Sequence, residues 1–300
     1  MSKSEAEPSS PHVLLNGRIL DPAEACISPF DRGFLYGDGF FETTRVVAGV
    51  PLFLDRHLGR LSASCRDTGF EREVAASDLK EAVRRLIEVN GVREGYLRIT
   101  VSRGQYSGRL ADLSAESPTV LVEARPMELP SLESPPPLTL AKSPYGRDER
   151  SPLARHKSLS YQLNVLALAE GRRRGADEVF FLNSRGCLAE GAITNLFLVS
   201  RGMVQTPDIA CGLLPGVTRQ MVLEICRDQG IQAEVGVYGE DALAAADEVF
   251  CTNSLRGVVA VSKILEWPHK PLAEHLLTAR LQAAYAGLVR NFCNTACGPR

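Results

Sequence analysis

The sequence predicts a mixed α/β protein built from two domains with mixed sheets. Asn16-Gly17 stands between two short apolar runs, which is a strong hairpin signal, and segments with helical spacing of apolar residues follow it. A stretch with five prolines and little periodicity, 126–137, separates two halves that each contain strand and helix patterns. This mixture of hairpins and helices favours mixed sheets over a doubly wound parallel sheet.

The N-terminal half begins with two hairpins, the second around Ala48-Gly49, and continues with helices and strands. Ser77 is a suitable N-cap for the second helix, and Gly91 is a suitable residue to end it. The helices are expected at about 55–67 and 78–90, and the strands at about 96–102 and 119–124.

The C-terminal half contains strands that alternate with turns at Ser184-Arg185-Gly186 and Ser200-Arg201-Gly202. A strand is expected near 138–142, and helices at about 158–173, 217–229 and 271–290, the second of which ends on Gly230. The predicted organisation is a disordered tail (1–11), an N-terminal α/β domain (12–125), a linker (126–137) and a C-terminal domain (138–300).

The composition is that of a water-soluble globular protein, with 44% hydrophobic and 23% charged residues over 300 positions. A formal net charge of −2 gives no reason to expect nucleic acid or an anionic membrane as a partner. The N-terminus lacks the apolar core of a secretory signal, so a cytoplasmic protein is expected. The eight cysteines show no metal-binding spacing and are expected to be reduced, with Cys293 and Cys297 as candidate exposed thiols.

Three motifs carry groups that suit one kind of chemistry. Lys157 lies in Ala-Arg-His-Lys-Ser-Leu-Ser-Tyr, Glu190 begins Glu-Gly-Ala-Ile-Thr-Asn-Leu-Phe, and 212–219 is a glycine-bearing turn that runs into a helix. A lysine amine that can bond an aldehyde, a carboxylate for a heteroaromatic nitrogen and a helix start that can bind phosphate are the parts of a pyridoxal phosphate site.

In this order and wording the motifs resemble the class IV aminotransferases, the fold type IV pyridoxal-phosphate enzymes. The resemblance covers about 12–268, and residues 190–219 match the family signature at both ends. It implies a two-domain fold like that of D-amino-acid aminotransferase, with the cofactor in a cleft between the domains. It also implies a homodimer that acts on a small amino substrate.

The resemblance assigns roles to individual residues. Lys157 is the catalytic lysine, and Glu190 pairs with the ring nitrogen. The phosphate is expected at the backbone N–H groups of Val217 and Thr218 and at the Thr218 hydroxyl. Two further phosphate contacts are expected at Arg60, with Arg56 as the alternative, and at Ser254, with Thr252 as the alternative.

Two candidate substrate contacts lie in the N-terminal half. Tyr36 belongs to the family-like run 31–45, whose aromatic side chains would line a substrate pocket. Arg103 resembles the arginine that receives a substrate carboxylate in the D-amino-acid branch, and the alternative is a structural ion pair.

Three local runs favour the aminodeoxychorismate lyase branch of folate biosynthesis: Gly37–Arg45, Cys211–Gly216 and Thr252–Val258. Two residues point away from it, because Ser160 stands where many lyases have asparagine and Ala260 replaces a frequent proline. A D-amino-acid transaminase is the alternative, a branched-chain transaminase is a weaker one, and a protein of this fold without turnover is the non-enzymatic alternative.

Overall fold

The computed structural model describes residues 11–70, 76–105, 108–113, 117–267 and 276–297 of the chain. It divides the chain into two compact units, Met1–Glu128 and Leu129–Arg300. The expected tail lies outside the described residues except for Pro11, and so does the start of the last predicted helix, 271–275.

In the described part of the first unit, six strands form an antiparallel sheet in the order β2-β1-β6-β5-β3-β4. The strands are β1 (Val13–Leu15), β2 (Arg18–Leu20), β3 (Gly39–Val47), β4 (Val50–Pro51), β5 (Gly95–Ser102) and β6 (Thr119–Pro126). The helices are α1 (Arg32–Tyr36), α2 (Leu54–Asp67) and α3 (Ala76–Val89). Both predicted hairpins are confirmed, and Asn16 and Gly17 adopt the positive φ angles that a two-residue hairpin turn requires.

The core of this unit is formed where the apolar faces of α2 and α3 pack with the sheet. Leu58 and Leu61 of α2 and Val83 and Leu86 of α3 are buried in one cluster with Ile99 of β5. Their spacing of three or four residues is the helical pattern that predicted the two helices.

Helix α1 is an element that the sequence pattern did not predict. Asp31 caps it by accepting a hydrogen bond from Gly33 N at 2.8 Å, and Gly37 ends it in the left-handed conformation. A helix of five residues is too short to show an apolar periodicity.

In the described part of the second unit, eight strands form a mixed sheet in the order β12-β11-β10-β13-β14-β7-β8-β9. The pairs β11–β12, β14–β7 and β7–β8 are parallel and the other pairs are antiparallel. The strands are β7 (Leu138–Lys142), β8 (Glu178–Leu182), β9 (Leu188–Gly191), β10 (Asn195–Ser200), β11 (Met203–Pro207), β12 (Ala233–Gly236), β13 (Glu248–Asn253) and β14 (Gly257–Ile264). The α-helices are α4 (Gln162–Arg173), α5 (Val217–Asp228), α6 (Glu240–Ala245) and α7 (Leu276–Cys297), and Ile209–Cys211 is a short 3-10 helix. The predicted mixed sheet is confirmed.

Two local predictions in this unit are wrong. Helix α4 begins at Gln162 rather than at 158, because the Ser158 hydroxyl accepts the Ser160 N–H at 3.1 Å and holds a turn that competes with the helix. Cys293 is buried in α7 at 7% exposure, so it is not an exposed thiol, and the side chain of Cys297 lies outside the described residues.

The proline-rich segment after β6 has no strand or helix, and its residues from 129 onward belong to the second unit. Leu132 is buried at 9% exposure, and Arg256 donates a hydrogen bond to the Pro136 carbonyl at 2.7 Å. Among the described helices, none is long and apolar enough to cross a membrane.

Candidate active site

Lys157 lies on the loop before α4, where its side chain is half-buried. Its Nζ atom is 5.4 Å from the centre of the Tyr161 ring, which is a cation–π distance. The Tyr161 hydroxyl donates a hydrogen bond to the Ala192 carbonyl at 2.8 Å. The loop therefore brings the candidate lysine close to the connection between β9 and β10.

Glu190 lies on β9 and is buried at 5% exposure. Its Oε1 forms an ion pair with the Arg147 guanidinium, and its Oε2 accepts a hydrogen bond from Leu214 N at 3.0 Å and a longer one from Asn195 Nδ2 at 3.4 Å. A buried carboxylate requires such partners, because burial without them would cost several kcal/mol.

Burial and the neighbouring groups shift the pKa of Glu190 in opposite directions. Burial raises the pKa of the Glu190 carboxyl, whereas the Arg147 guanidinium, the Leu214 N–H and the Lys157 ammonium act to lower it, with a net rise. The influence of Lys157 shows that the two candidate residues lie close to each other. A protonated nitrogen placed beside this buried carboxylate would favour its ionised form and so offset the effect of burial.

The expected phosphate-binding turn ends at Gly216, which is the N-cap of α5 and forms no side-chain cap. The first backbone N–H groups of a helix have no partner within the helix, so those of Val217 and Thr218 are available to an anion. Both side chains are largely buried, Thr218 at 3% exposure.

Asn195 connects this turn to the Glu190 network. Its Nδ2 donates to the Leu214 carbonyl at 2.9 Å as well as to Glu190. A Cβ atom added at Gly216 would lie 1.9 Å from Asn195 Oδ1, so a larger residue at that position requires Asn195 to move. The carboxylate and the start of α5 are therefore held by one set of hydrogen bonds.

The two alternatives for the last phosphate contact occupy different positions. Thr252 lies on β13 opposite Asn195, is buried at 1% exposure, and its Oγ1 has no hydrogen-bond partner among the described residues. Ser254 lies in the turn after β13 and is half-buried. A buried hydroxyl without a partner is costly, which favours a ligand near Thr252.

The second unit thus combines features that fit a phosphorylated pyridine carrying an aldehyde. The start of α5 suits an anion, the Glu190 carboxylate suits a ring nitrogen, and the amine of Lys157 suits an aldehyde carbon. The orphaned Thr252 hydroxyl is a further polar atom that such a group would satisfy.

Arg60 lies in α2 of the first unit, where it forms a bidentate ion pair with Glu42. Its Nε and terminal nitrogen donate to the two Glu42 oxygens at 2.8 and 2.7 Å, and His57 Nδ1 lies 2.7 Å from the same carboxylate. Burial alone would raise the pKa of Glu42, but the charges and hydrogen bonds of Arg60 and His57 outweigh it and lower the pKa to about 2. Arg56, the alternative, is exposed.

Arg103 is buried at 3% exposure and forms a structural ion pair in the first unit. Its Nε donates to Asp38 at 2.9 Å, its terminal nitrogens donate to the Gly69 and Thr68 carbonyls at 2.9 and 3.0 Å, and its guanidinium lies 4.2 Å from the centre of the Phe70 ring. This arrangement favours the structural alternative for Arg103 over binding of a substrate carboxylate.

Tyr36 is the last residue of α1 and its side chain is 45% exposed. The Arg32 guanidinium lies 5.6 Å from the centre of its ring, and Arg32 also donates to Asp38 at 2.7 Å. The exposed ring is compatible with a contact to a ligand.

The sequence pattern did not identify Arg147, Tyr161 and Asn164 as parts of the site. Arg147 donates to Asn164 Oδ1 at 3.2 Å as well as pairing with Glu190, and Asn164 donates to the Ala192 carbonyl at 2.7 Å. Tyr161 lies four positions after Lys157 in the same motif, so the sequence contained a local signal for it. No local signal existed for Arg147, which is separated from Glu190 by 43 positions.

The sequence profile of the family described as amino-transferase class IV matches residues 39–264. The chain therefore belongs to the class IV aminotransferase family. Within it, the chain is similar to aminodeoxychorismate lyase of Bacillus subtilis, with 32% identity over 292 residues that cover 95% of this chain and 97% of the relative. It is also similar to D-alanine aminotransferase of Bacillus licheniformis, with 28% identity over 84% of this chain and 88% of the relative.

Solved structures of the same family have similar folds. The crystal structure of 4-amino-4-deoxychorismate lyase from Pseudomonas aeruginosa matches with a TM-score of 0.79 and 31% identity, over 91% of this chain and 97% of that one. The branched-chain aminotransferase of the archaeon Thermoproteus uzoniensis, solved with norvaline, matches with a TM-score of 0.86 and 27% identity, over 93% and 95% of the two chains. These matches confirm the fold type IV aminotransferase fold.

Proposed function

We propose that the chain is a pyridoxal-phosphate-dependent lyase that converts 4-amino-4-deoxychorismate to 4-aminobenzoate and pyruvate. The observation that carries the proposal is the buried Glu190 network, which joins a carboxylate to the start of α5 close to Lys157. The lyase match extends over 95% of the chain at 32% identity, whereas a putative branched-chain aminotransferase of Methanocaldococcus jannaschii matches at the same identity over 84% and the D-alanine aminotransferase at 28%. The longer match supports the lyase reaction.

When bound, pyridoxal phosphate supplies an electron sink for the substrate carbon that bears nitrogen. Lys157 is the residue that would hold the aldehyde carbon of this group through Nζ, and its free amine would act as the general base that takes the proton from that substrate carbon. The same Nζ would then deliver this proton to the departing enolpyruvate, which leaves as pyruvate while the carbocycle of the substrate becomes aromatic. The Lys157 amine has therefore given up the proton that it removed, and no net proton is gained or lost at Nζ.

The other proposed residues hold the reacting groups in position. Glu190 would hold a proton at the ring nitrogen, and its carboxylate is oriented by Arg147 and Asn195. The N–H groups of Val217 and Thr218 and the Thr218 hydroxyl would bind the phosphate at the start of α5. A further hydroxyl contact would come from Ser254 or from Thr252, whose hydroxyl has no partner among the described residues. A contact from the Arg60 guanidinium would require it to share its charge between the phosphate and Glu42. Tyr36 would line the substrate pocket.

The alternative function is an aminotransferase that uses 2-oxoglutarate with D-amino acids or branched-chain amino acids. Similarity to the D-alanine and branched-chain enzymes supports it. The environment of Arg103 argues against the D-amino-acid branch, because the hydrogen bonds of its guanidinium to Asp38, Gly69 and Thr68 compete with a substrate carboxylate.

A paired assay on the cofactor-loaded protein tests the proposal. One arm supplies aminodeoxychorismate and measures 4-aminobenzoate and pyruvate, and the other supplies L- and D-amino acids with 2-oxoglutarate. Fast release of 4-aminobenzoate with weak amino transfer is the expected result. Robust transfer without 4-aminobenzoate would assign the chain to the aminotransferases, and the configuration of the accepted donor would identify the branch.

We also propose that the protein is a cytoplasmic homodimer and that the two units are its folding domains. The family resemblance supports the dimer, and closed two-fold dimers are the commonest oligomers. The described cysteines are all free, and this is the usual state in a reducing compartment.

A further inference from the structure

Glu178, the first residue of β8, carries a buried carboxylate that the proposed mechanism does not use. Its side chain accepts four hydrogen bonds at 2.8–3.0 Å. Oε1 accepts from Val179 N and Ala192 N, and Oε2 accepts from Ile193 N and Thr194 Oγ1. The Glu178 side chain is buried at 2% exposure, and among the described residues no cation forms an ion pair with it. The four hydrogen-bond donors therefore offset the free-energy cost of burying the carboxylate.

Three of the four donors belong to the turn that connects β9 with β10. This turn begins immediately after Glu190 and ends immediately before Asn195, and the Gly191 N–H donates to the Thr194 carbonyl at 2.8 Å to close it. A Cβ atom added at Gly191 would lie 2.2 Å from Thr194 Oγ1 and 3.0 Å from Glu178 Oε2. The turn is therefore tightly packed around the Glu178 carboxylate.

The same turn contacts the lysine side of the site. The Ala192 carbonyl accepts hydrogen bonds from Tyr161, whose ring lies beside Lys157, and from Asn164, which is bonded to Arg147. The backbone that Glu178 binds is thus connected both to Lys157, through Tyr161, and to Glu190, through Asn164 and Arg147.

We propose that Glu178 is a positioning residue, whose carboxylate fixes the 191–194 turn and thereby sets the positions of Glu190 and Lys157 relative to the cofactor. The catalytic part of this inference rests on the proposed function. The fixing of the turn itself does not depend on the cofactor.

The ionisation of Glu178 gives the proposal a pH dependence. Burial raises the pKa of Glu178 to about 7, against the four hydrogen bonds, which lower it. The titratable group that faces it is the Cys251 thiol of β13, whose pKa is raised to about 12 by burial and by Glu178, so the thiol is neutral when Glu178 titrates. All four partners are donors, so the ionised carboxylate binds the turn more strongly than the neutral acid does.

Glu248 provides a matched control in the same unit. It is a carboxylate buried at 6% exposure that accepts hydrogen bonds from Leu277 N, Thr278 N and Thr278 Oγ1 at 2.7–2.9 Å. These bonds cap α7, and all three donors lie outside the 191–194 turn. Glu248→Gln therefore reproduces the chemical change of Glu178→Gln at a purely structural position.

The first test uses the cofactor-free protein and measures hydrogen exchange of the Ala192 and Ile193 amides. In Glu178→Gln the amide NH₂ replaces one acceptor with a donor, so exchange at these amides should accelerate about tenfold or more. Glu178→Asp, which keeps the charge, should be intermediate and serves if the Gln variant fails to fold. Glu248→Gln should leave these amides unchanged. Unchanged exchange in both Glu178 variants would overturn the proposal.

The second test uses the cofactor-loaded protein. Glu178→Gln should lower kcat about tenfold with KM changed less than about threefold, and should shift the pH at which the lysine-bound cofactor changes its absorption. If Glu178→Gln and Glu248→Gln lower the melting temperature equally and both keep the wild-type absorption titration and kcat, Glu178 is merely structural and the proposal is wrong. If the wild type binds no cofactor, the proposed function fails, and the exchange measurement still decides whether Glu178 fixes the turn.

Discussion

At the scale of single residues, Lys157 is the side chain on which the proposed chemistry depends most. It is half-buried beside the Tyr161 ring, and its charge acts on Glu190. An amine in such a position can reach both a bound aldehyde and a neighbouring carbon acid, and this is the requirement for a lysine with two roles.

Lys157→Ala should therefore remove both covalent attachment and proton transfer. Turnover should fall by about 10²–10⁴-fold or more, and borohydride treatment followed by mass spectrometry should find no modified lysine. Lys142→Ala is the control, because Lys142 is a half-buried lysine of the same unit, paired with Glu240. Retained turnover in Lys157→Ala would contradict the mechanism.

Glu190→Gln tests the partner of the ring nitrogen. The phosphate contacts at α5 should keep cofactor affinity within about tenfold, whereas proton removal should slow by about a hundredfold, since a neutral amide holds a proton at the ring less well. Affinity is measured by fluorescence titration and the rate by single-turnover kinetics. An unchanged rate would mean that another residue pairs with the nitrogen.

The ionisation of Glu42 makes the stability of the first unit depend on pH. Its pKa is lowered from 4.5 to about 2, so its ion pair with Arg60 stabilises the fold above pH 4.5 and is lost as the pH falls toward 2. Glu42→Gln should be less stable than wild type at pH 6 by about 3 kcal/mol and should lose less stability on acidification. Urea unfolding at pH 6 and pH 3 measures this difference. Glu81→Gln, which removes an exposed ion pair, should behave as wild type does, and an equal acid response in both variants would contradict the assignment.

At the scale of elements, the site is made by the turn between β9 and β10 and by the start of α5. Asn195 is the connection between the two elements, because one side-chain amide bonds both Glu190 and the Leu214 carbonyl. The absence of a side-chain cap at Gly216 leaves the first N–H groups of α5 for an anion.

Gly216→Ala should damage this junction. The added Cβ would meet Asn195 Oδ1 at 1.9 Å, so Asn195 must move and loosen the Glu190 network. Cofactor affinity should fall about tenfold or more, equivalent to about 1.4 kcal/mol, as measured by equilibrium titration. Gly59→Ala is the control, because nothing lies within 4 Å of its Cβ position in α2, and it should raise stability by about 1 kcal/mol without changing affinity. Unchanged affinity in Gly216→Ala would place the phosphate elsewhere.

At the scale of the whole molecule, the described surfaces of both units carry exposed apolar side chains. Phe34 of α1 is 79% exposed and Phe30 is 64% exposed in the first unit, and Val165 of α4 is 59% exposed in the second. Contiguous apolar surface is common where proteins associate, so these side chains are candidates for contacts in the proposed dimer.

The molecular mass of the protein in solution tests the proposed dimer. Sedimentation equilibrium of the purified protein should give twice the 32.6 kDa of one chain. A monomer across the micromolar range would contradict the proposal, and neither result depends on cofactor or activity.

Local patterns predicted most of the elements and part of the site. Helices α2, α3 and α5 were predicted because their apolar spacing is periodic over twelve or more residues, whereas α1 and the late start of α4 were missed because side-chain hydrogen bonds of Asp31 and Ser158 decide them. Lys157, Glu190 and Thr218 were identified because each lies within a contiguous motif. Arg147 and Glu178 act on the same site from separate strands and loops, and no motif contains them.

Contiguous motifs were sufficient to predict the family, the mixed α/β class and the candidate lysine, carboxylate and phosphate-binding turn, since these depend on residues close together in the chain. The tertiary structure decided which charges meet. It paired Arg147 with Glu190, directed Arg103 to Asp38 and placed Glu178 under the 191–194 turn. Hydrogen bonds and ion pairs act over about 3 Å, so their partners depend on the path of the folded backbone rather than on spacing along the sequence.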